Sequence, residues 1–174
     1  MNKLEIISKL TKNHEGFAAL VDGLNNTDFM MAPESKWTAG QQLDHIFRSV
    51  SPVTLAFTLP KFVPSLMFGK ANRSSRDYTG LIEKYEVKLR EGGKASGRFV
   101  PKTVDVDQKV ILKNKLLKTV KKLAKKINNC TEQELDTYIL PHPLLGKLTF
   151  REMLYFTIYH VEHHQKLVLR NLGR

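Results

Sequence analysis

Thr149-Phe150-Arg151-Glu152-Met153-Leu154-Tyr155-Phe156-Thr157-Ile158-Tyr159-His160-Val161-Glu162-His163-His164, continuing through Leu167 and Val168 to Leu172 and Gly173, is the stretch that decides the fold. It reads as one helix with both ends marked. Thr149 and Glu152 have capping-box spacing: the hydroxyl accepts from an early amide, and the carboxylate reaches back to the cap's own N–H. Gly173 supplies the stop, because glycine adopts the left-handed conformation after a helix without steric cost. At about 100° per residue His160 and His164 lie about 40° apart, and Met153, Phe156 and Leu167 share their face. Two imidazoles therefore point inward from an apolar stripe.

A polar group buried without a partner costs about 1–3 kcal/mol. His-x3-His spacing lets two ring nitrogens converge on one ion, as in other helical metal sites. The same pair also suits core histidines bonded to hydroxyls, carbonyls or water. A third ligand decides between these readings.

Outward from the last helix, Tyr138 to Lys147 reads as an ordered loop. His142, between Pro141 and Pro143, is there either a turn-stabilising group or a donor at the rim of a site. Thr131 and Glu134 form another capping box, opening a short helical turn. Before it, a long helix spans about 106–128, capped by Asp105. One face carries Val110, Leu116, Val120, Leu123 and Ile127, and the opposite face carries Lys115, Lys118, Lys121, Lys122, Lys125 and Lys126. No aromatic residues interleave the lysines, so that face reads as a solvated exterior.

Gly92-Gly93-Lys94-Ala95-Ser96-Gly97 lacks both the Gly-Lys-Ser/Thr ending of a phosphate loop and a preceding strand. It reads as a lid or wall over a site. A short helix over 79–90 precedes it. The second long helix starts at Thr38, again boxed by Gln41, with Leu43, Ile46, Val50, Val53 and Phe57 as its apolar stripe. His45 lies off the centre of that stripe, in line with Gln41, Gln42, Ser49 and Ala56, as on a cavity wall. Helix one covers about 4–24, and His14 within it reads as an ordinary residue. No set of alternating strands is legible. Four amphipathic helices predict an all-α four-helix bundle with a long, partly helical connection between helices two and three, forming a single domain over 1–174.

Twenty-eight Lys and Arg against 17 Asp and Glu give a net charge of +11, which favours anionic partners without naming one. No nucleic-acid recognition motif accompanies it. The lone Cys130 excludes an internal disulfide. The N-terminus lacks the apolar core of a secretory signal and no stretch is long enough to span a bilayer, so a cytoplasmic location is expected.

If helix two packs beside the last helix, His45 meets His160 and His164. Three protein ligands from two helices leave coordination positions open, as in catalytic sites. Imidazole ligands suit Zn, Ni, Fe or Cu. His163 turns about 60° from His160 and about 100° from His164, outside that set.

Trp37-Thr38 followed by His45, the run from His142 to Met153, and His160-Val161-Glu162-His163-His164 together resemble the DinB-like superfamily, including its YfiT-related metal-dependent enzymes. The resemblance implies a four-helix bundle in which one histidine of the second helix and the His-x3-His of the last bind a divalent metal, here His45, His160 and His164. It implies Zn or Ni ahead of Fe or Cu. It further implies a thiol-dependent S-transferase using a bacillithiol- or mycothiol-like low-molecular-weight thiol, or a hydrolase, acting on a small-molecule substrate. Gln41, Gln42, His142 and His163 are the candidate supporting or pocket residues, and Asp44 is expected to be exposed. The alternative is a non-catalytic binding module whose basic surface recruits an anionic partner. Tyr155 and Tyr159, expected on the exposed side of the last helix, mark a candidate homodimer contact.

Overall fold

Capping sets where the long helices begin. The computed structural model describes residues 1–174 and contains four of them: α1 (Lys3–Asp22), α3 (Ala39–Thr58), α6 (Lys109–Asn128) and α8 (Phe150–Asn171). Complete capping boxes open α1 at Asn2 and Glu5, α3 at Thr38 and Gln41, and α8 at Thr149 and Glu152. The expected start of the third long helix shifts. Asp105 caps a single 3₁₀ turn, Val106–Gln108, and α6 follows it from Lys109.

Contacts at the helix ends fix the directions. Phe57 near the end of α3 packs on Phe150 at the start of α8, with ring centroids 4.4 Å apart. At the opposite end of the pair, Asn171 Nδ2 donates to the Trp37 carbonyl just before α3. The two helices are therefore antiparallel, and their middles meet. Lys109 Nζ donates to the Leu24 carbonyl after α1, while Lys3 Nζ donates to the Asn128 carbonyl at the end of α6, so α1 and α6 are antiparallel as well. Between the four helices lies one continuous apolar core, with Phe17, Leu43, Ile46, Leu116, Leu123 and Leu154 among its buried members.

Short elements fill the connections: α2 (Asn26–Met30), α4 (Phe62–Phe68), α5 (Tyr78–Arg90) and α7 (Glu132–Thr137). Gly40 in α3 is needed for close approach, since a Cβ there would lie 2.8 Å from Phe29 Cζ of α2. The long connection between α3 and α6 is partly helical, carrying α4, α5 and a 3₁₀ turn at Gly97–Phe99. No single helix is long and apolar enough to cross a membrane.

Two expectations are corrected here. The stretch before α8 is a β-hairpin, β1 (Ile139–His142) paired antiparallel with β2 (Gly146–Thr149) in the register Leu140 opposite Leu148. Each strand is only four residues, and Pro141 breaks the usual strand composition, so no alternation stands out in the sequence. Gly146 takes φ +75° at the turn. Tyr155 is buried rather than exposed: its ring meets Tyr78 edge-on at 5.5 Å, and its hydroxyl lies 3.2 Å from the Met1 carbonyl. Tyr159 is half-buried and donates to Glu86 Oε1 at 2.6 Å. The N-terminus and α5 cover Tyr155, so that ring is not available for a dimer contact.

His14 is also more than an ordinary helix residue. It is fully buried, its Nδ1–H donates to the Leu10 carbonyl at 2.7 Å, and Nε2 has no partner. Burial pushes its pKa down from 6.5 to about 4, against the smaller upward pull of the Leu10 carbonyl. The folded protein thus keeps His14 neutral where the unfolded chain is protonated. Stability present above pH 6.5 is lost as the pH falls towards 4. We expect His14→Leu to recover about 2–3 kcal/mol of the stability that wild type loses between pH 7.5 and 4.5. Urea unfolding of both proteins at the two pH values measures this; equal losses in both would remove His14 as the cause.

Candidate metal centre

The antiparallel pairing of α3 and α8 carries His45, two turns into α3, to the level of His160 and His164 in the middle of α8. All three are buried, and one ring nitrogen from each lies within 4.8 Å of the others, a group able to hold a metal ion. His160 Nε2 stands 3.1 Å from His45 Nε2 and 3.0 Å from His164 Nε2.

The outer nitrogens determine what those inner atoms carry. His45 Nδ1 lies 2.7 Å from the Phe99 carbonyl, and His164 Nδ1 is bonded to Gln42 Oε1. Both partners are oxygen acceptors, so each Nδ1 bears the proton and each Nε2 of a neutral ring presents a lone pair to the centre. His160 Nε2 faces both. A single N–H there can point at only one neighbour, which leaves lone pairs crowded together without a donor. One ion bonded to all three resolves this: nitrogens about 2.1 Å from a common metal lie about 3 Å apart at near-perpendicular bond angles. The donor set fits a divalent cation.

Electrostatics agree with that reading. Burial lowers the pKa of His160 and His164 well below 6.5, with the neighbouring imidazoles adding to the effect. His45 is lowered mainly by burial, opposed by the Phe99 carbonyl and Asp44. No carboxylate is hydrogen-bonded to any of the three rings.

Aromatic groups wall the centre. Trp37 stacks on His164 at 6.1 Å and 11° and lies 5.0 Å from His45. Phe156 stacks on His160 at 4.6 Å, and Tyr85 lies edge-on to His160 at 6.1 Å. The segment after the glycine-rich loop forms another wall, since Phe99 supplies the carbonyl that orients His45.

Asp44 holds that wall in place. Contrary to expectation it is buried, accepting from Arg48 Nε at 2.5 Å and from the Lys102 amide at 2.7 Å, while Arg48 Nη1 donates to the Arg98 carbonyl at 3.2 Å. A helical wheel places Asp44 about 100° from His45 but does not reveal that the connection, rather than solvent, lies on that side.

The remaining candidates separate by their contacts. Gln42 is buried against His164, whereas Gln41 closes the α3 capping box by accepting from the Thr38 amide at 3.0 Å. His142 stabilises the hairpin turn: its Nδ1 accepts from the amides of Leu144 and Leu145, each at 3.2 Å. Its ring is one layer removed from the centre, edge-on to Phe156 at 4.2 Å. His163 is half-buried between Tyr85 and His164, with ring centroids 6.0 and 5.2 Å away, and its nitrogens do not join the cluster. Sequence reasoning missed Trp37 as a wall, although the residue just before a helix cap is a recognised position for apolar packing. A backbone carbonyl such as that of Phe99 leaves no sequence signal.

An all-α bundle with three buried imidazoles converging between two antiparallel helices fits a helical protein able to hold a metal ion. The chain belongs to the DinB superfamily, whose family model matches residues 9–168. No curated protein matches it.

Proposed function

We propose that the chain is a divalent-metal-dependent enzyme, a single-domain bundle with His45, His160 and His164 as ligands. Its reaction is thiol-dependent S-transfer from a low-molecular-weight thiol to a small electrophile, with hydrolysis as the second reaction type. The observation that carries this reading is the convergence of three Nε2 atoms, two of them fixed as lone-pair donors by their outer hydrogen bonds. Zn or Ni suits this donor set ahead of Fe or Cu.

A divalent ion bound there lowers the pKa of a coordinated thiol or water, supplying a nucleophile near neutral pH. The chain's own residues set the surroundings. Gln42 and the Phe99 carbonyl hold two rings in one tautomer, and Trp37, Phe156 and Tyr85 limit water. Asp44 is engaged by Arg48 and Lys102, Glu86 accepts from Tyr159, and no carboxylate is hydrogen-bonded to any of the three rings. A thiol needs less help than water in losing its proton, which places S-transfer ahead of hydrolysis.

The test is a transfer assay with Zn- or Ni-loaded protein, a bacillithiol-type thiol and a panel of small electrophiles. Wild type is expected to consume thiol, and His45→Ala is expected to lose both metal and transfer while keeping its helical circular dichroism. Metal-loaded protein that hydrolyses esters or amides but transfers no thiol would reverse the order of the two reactions. Gln42→Leu removes the acceptor that orients His164 and is expected to weaken metal affinity about 10- to 100-fold, read by competition with a chromophoric chelator. Unchanged affinity would mean that Gln42 serves packing alone.

A further inference from the structure

The helix α4 leaves the end of α3 at an angle of 114°, and Pro64 is its only buried residue. Its apolar side chains face outward: Leu66 is 86% exposed, Phe62 69% and Met67 64%, with Leu55 of α3 at 60%. Single exposed apolar residues are ordinary. Phe62 and Leu66, one helical turn apart, with Met67 beside them, instead form an apolar face that nothing in the chain covers.

Where α4 ends, the chain turns into a cleft of about 300 Å³ lined by residues 68–73 together with Ile139, Lys147 and Thr149. Its charged lining groups are Lys70, Arg73 and Lys147, all basic. Arg76 and Lys84 add positive charge close by: burial first, then repulsion from Arg76, lowers the Lys84 pKa against the upward pull of Glu152. The nearby carboxylates are already engaged. Glu152 is fully buried beneath Arg73 and Arg76, and Asp136 accepts from Arg151 and Ser75. With Arg73 and Arg76 paired to Glu152, Lys70 and Lys147 remain as the cleft's cations without an ion-pair partner, and an apolar face adjoins them.

These two features select the occupant. A second copy of a chain carrying +11 brings repulsion to a basic rim. A free anion would answer the cleft but leave Phe62, Leu66 and Met67 in water. A bilayer surface supplies both an apolar boundary at acyl depth and phosphates at headgroup depth. We propose that the α4 end of the bundle docks on an anionic phospholipid bilayer, with Phe62, Leu66 and Met67 entering the interface and Lys70 and Lys147 receiving lipid phosphates. Such attachment is peripheral.

The test is cosedimentation of the full chain at low salt with phosphatidylcholine vesicles, with and without phosphatidylglycerol. Binding is expected only to the anionic vesicles. Leu66→Asp with Met67→Asp is expected to weaken it at least about tenfold, and Lys70→Gln with Lys147→Gln about tenfold. Lys118→Gln with Lys122→Gln on the exposed side of α6 removes the same charge and is expected to weaken it less than about threefold. Of these side chains only that of Lys147 makes a hydrogen bond, to the Phe68 carbonyl, so each variant is expected to keep the fold.

Four results overturn the proposal. The first is no binding to anionic vesicles. The second is equal loss in the two lysine pairs, which means diffuse attraction rather than a docking face. The third is calorimetric binding of inorganic phosphate at the cleft with vesicle binding untouched by Leu66→Asp, which means a free-anion site. The fourth is self-association abolished by Leu66→Asp without vesicle binding, which means a contact between copies.

Discussion

His160→Ala and His164→Ala are each expected to reduce metal content from near one equivalent to near zero in protein purified without a histidine tag. Elemental mass spectrometry on wild type and both variants reads this directly. The expectation follows from ligand number: with three protein ligands, loss of one leaves two imidazoles, and the remaining pair no longer encloses an ion. Wild type that neither contains metal nor acquires it from added Zn or Ni would make the three histidines core residues. Acidity gives an independent reading. Protons compete with metal for imidazole nitrogens, and burial, with repulsion from neighbouring imidazoles, lowers the pKa of His160 and His164 well below 6.5. Metal content should therefore persist as pH falls through 6.5, where an exposed histidine site would already be losing its ion.

Glu152→Gln is expected to cost about 3 kcal/mol of folding stability while leaving metal content unchanged. The carboxylate is completely buried and serves several donors at once. Arg73 donates through Nη1 and Nη2 at 2.7 and 2.8 Å, the Arg76 amide at 2.9 Å, and the Thr149 amide at 2.9 Å. It thus pins the connection after α4 to the start of α8 and closes the α8 capping box. Removing its charge leaves Arg73 and Arg76 without their counter-ion in a partly buried setting. Urea unfolding with elemental analysis of the same samples checks both halves; a loss below about 1 kcal/mol would place the pair among weak surface bridges.

The pH window for Glu152 differs from that for His14. Burial opposes ionisation of Glu152, but Arg73 and the amides of Arg76 and Thr149 outweigh it and hold the pKa down at about 2. Its contribution is present above the unfolded value near 4.5 and is lost as pH falls towards 2. The stability of wild type is therefore expected to fall with pH over two ranges, from 6.5 towards 4 through His14 and from 4.5 towards 2 through Glu152.

What the sequence by itself determined is local. Helix starts were legible because a capping box is a relation between residues three apart, as at Thr38 and Gln41, Thr131 and Glu134, and Thr149 and Glu152. Apolar stripes were legible because helical periodicity repeats within a few residues, so the all-α bundle and the inward direction of His160 and His164 followed. The meeting of His45 with that pair required only that two amphipathic helices pack side by side.

Tertiary structure alone decided what lies across from each residue. Sequence alone puts Tyr155 and Asp44 on the exterior because a helical wheel distinguishes faces but not the chain segments that cover them; here these are the N-terminus with α5, and the segment 98–102. The hairpin was missed because four-residue strands are too short for alternation to register, and their pairing is stabilised by cross-strand bonds rather than local preference. The ring orientation at the centre rests on Gln42 and the Phe99 carbonyl, the latter 54 positions from His45 and without a side-chain signature. Burial lowers the pKa of every histidine in the centre, and burial is set by how separate segments pack together.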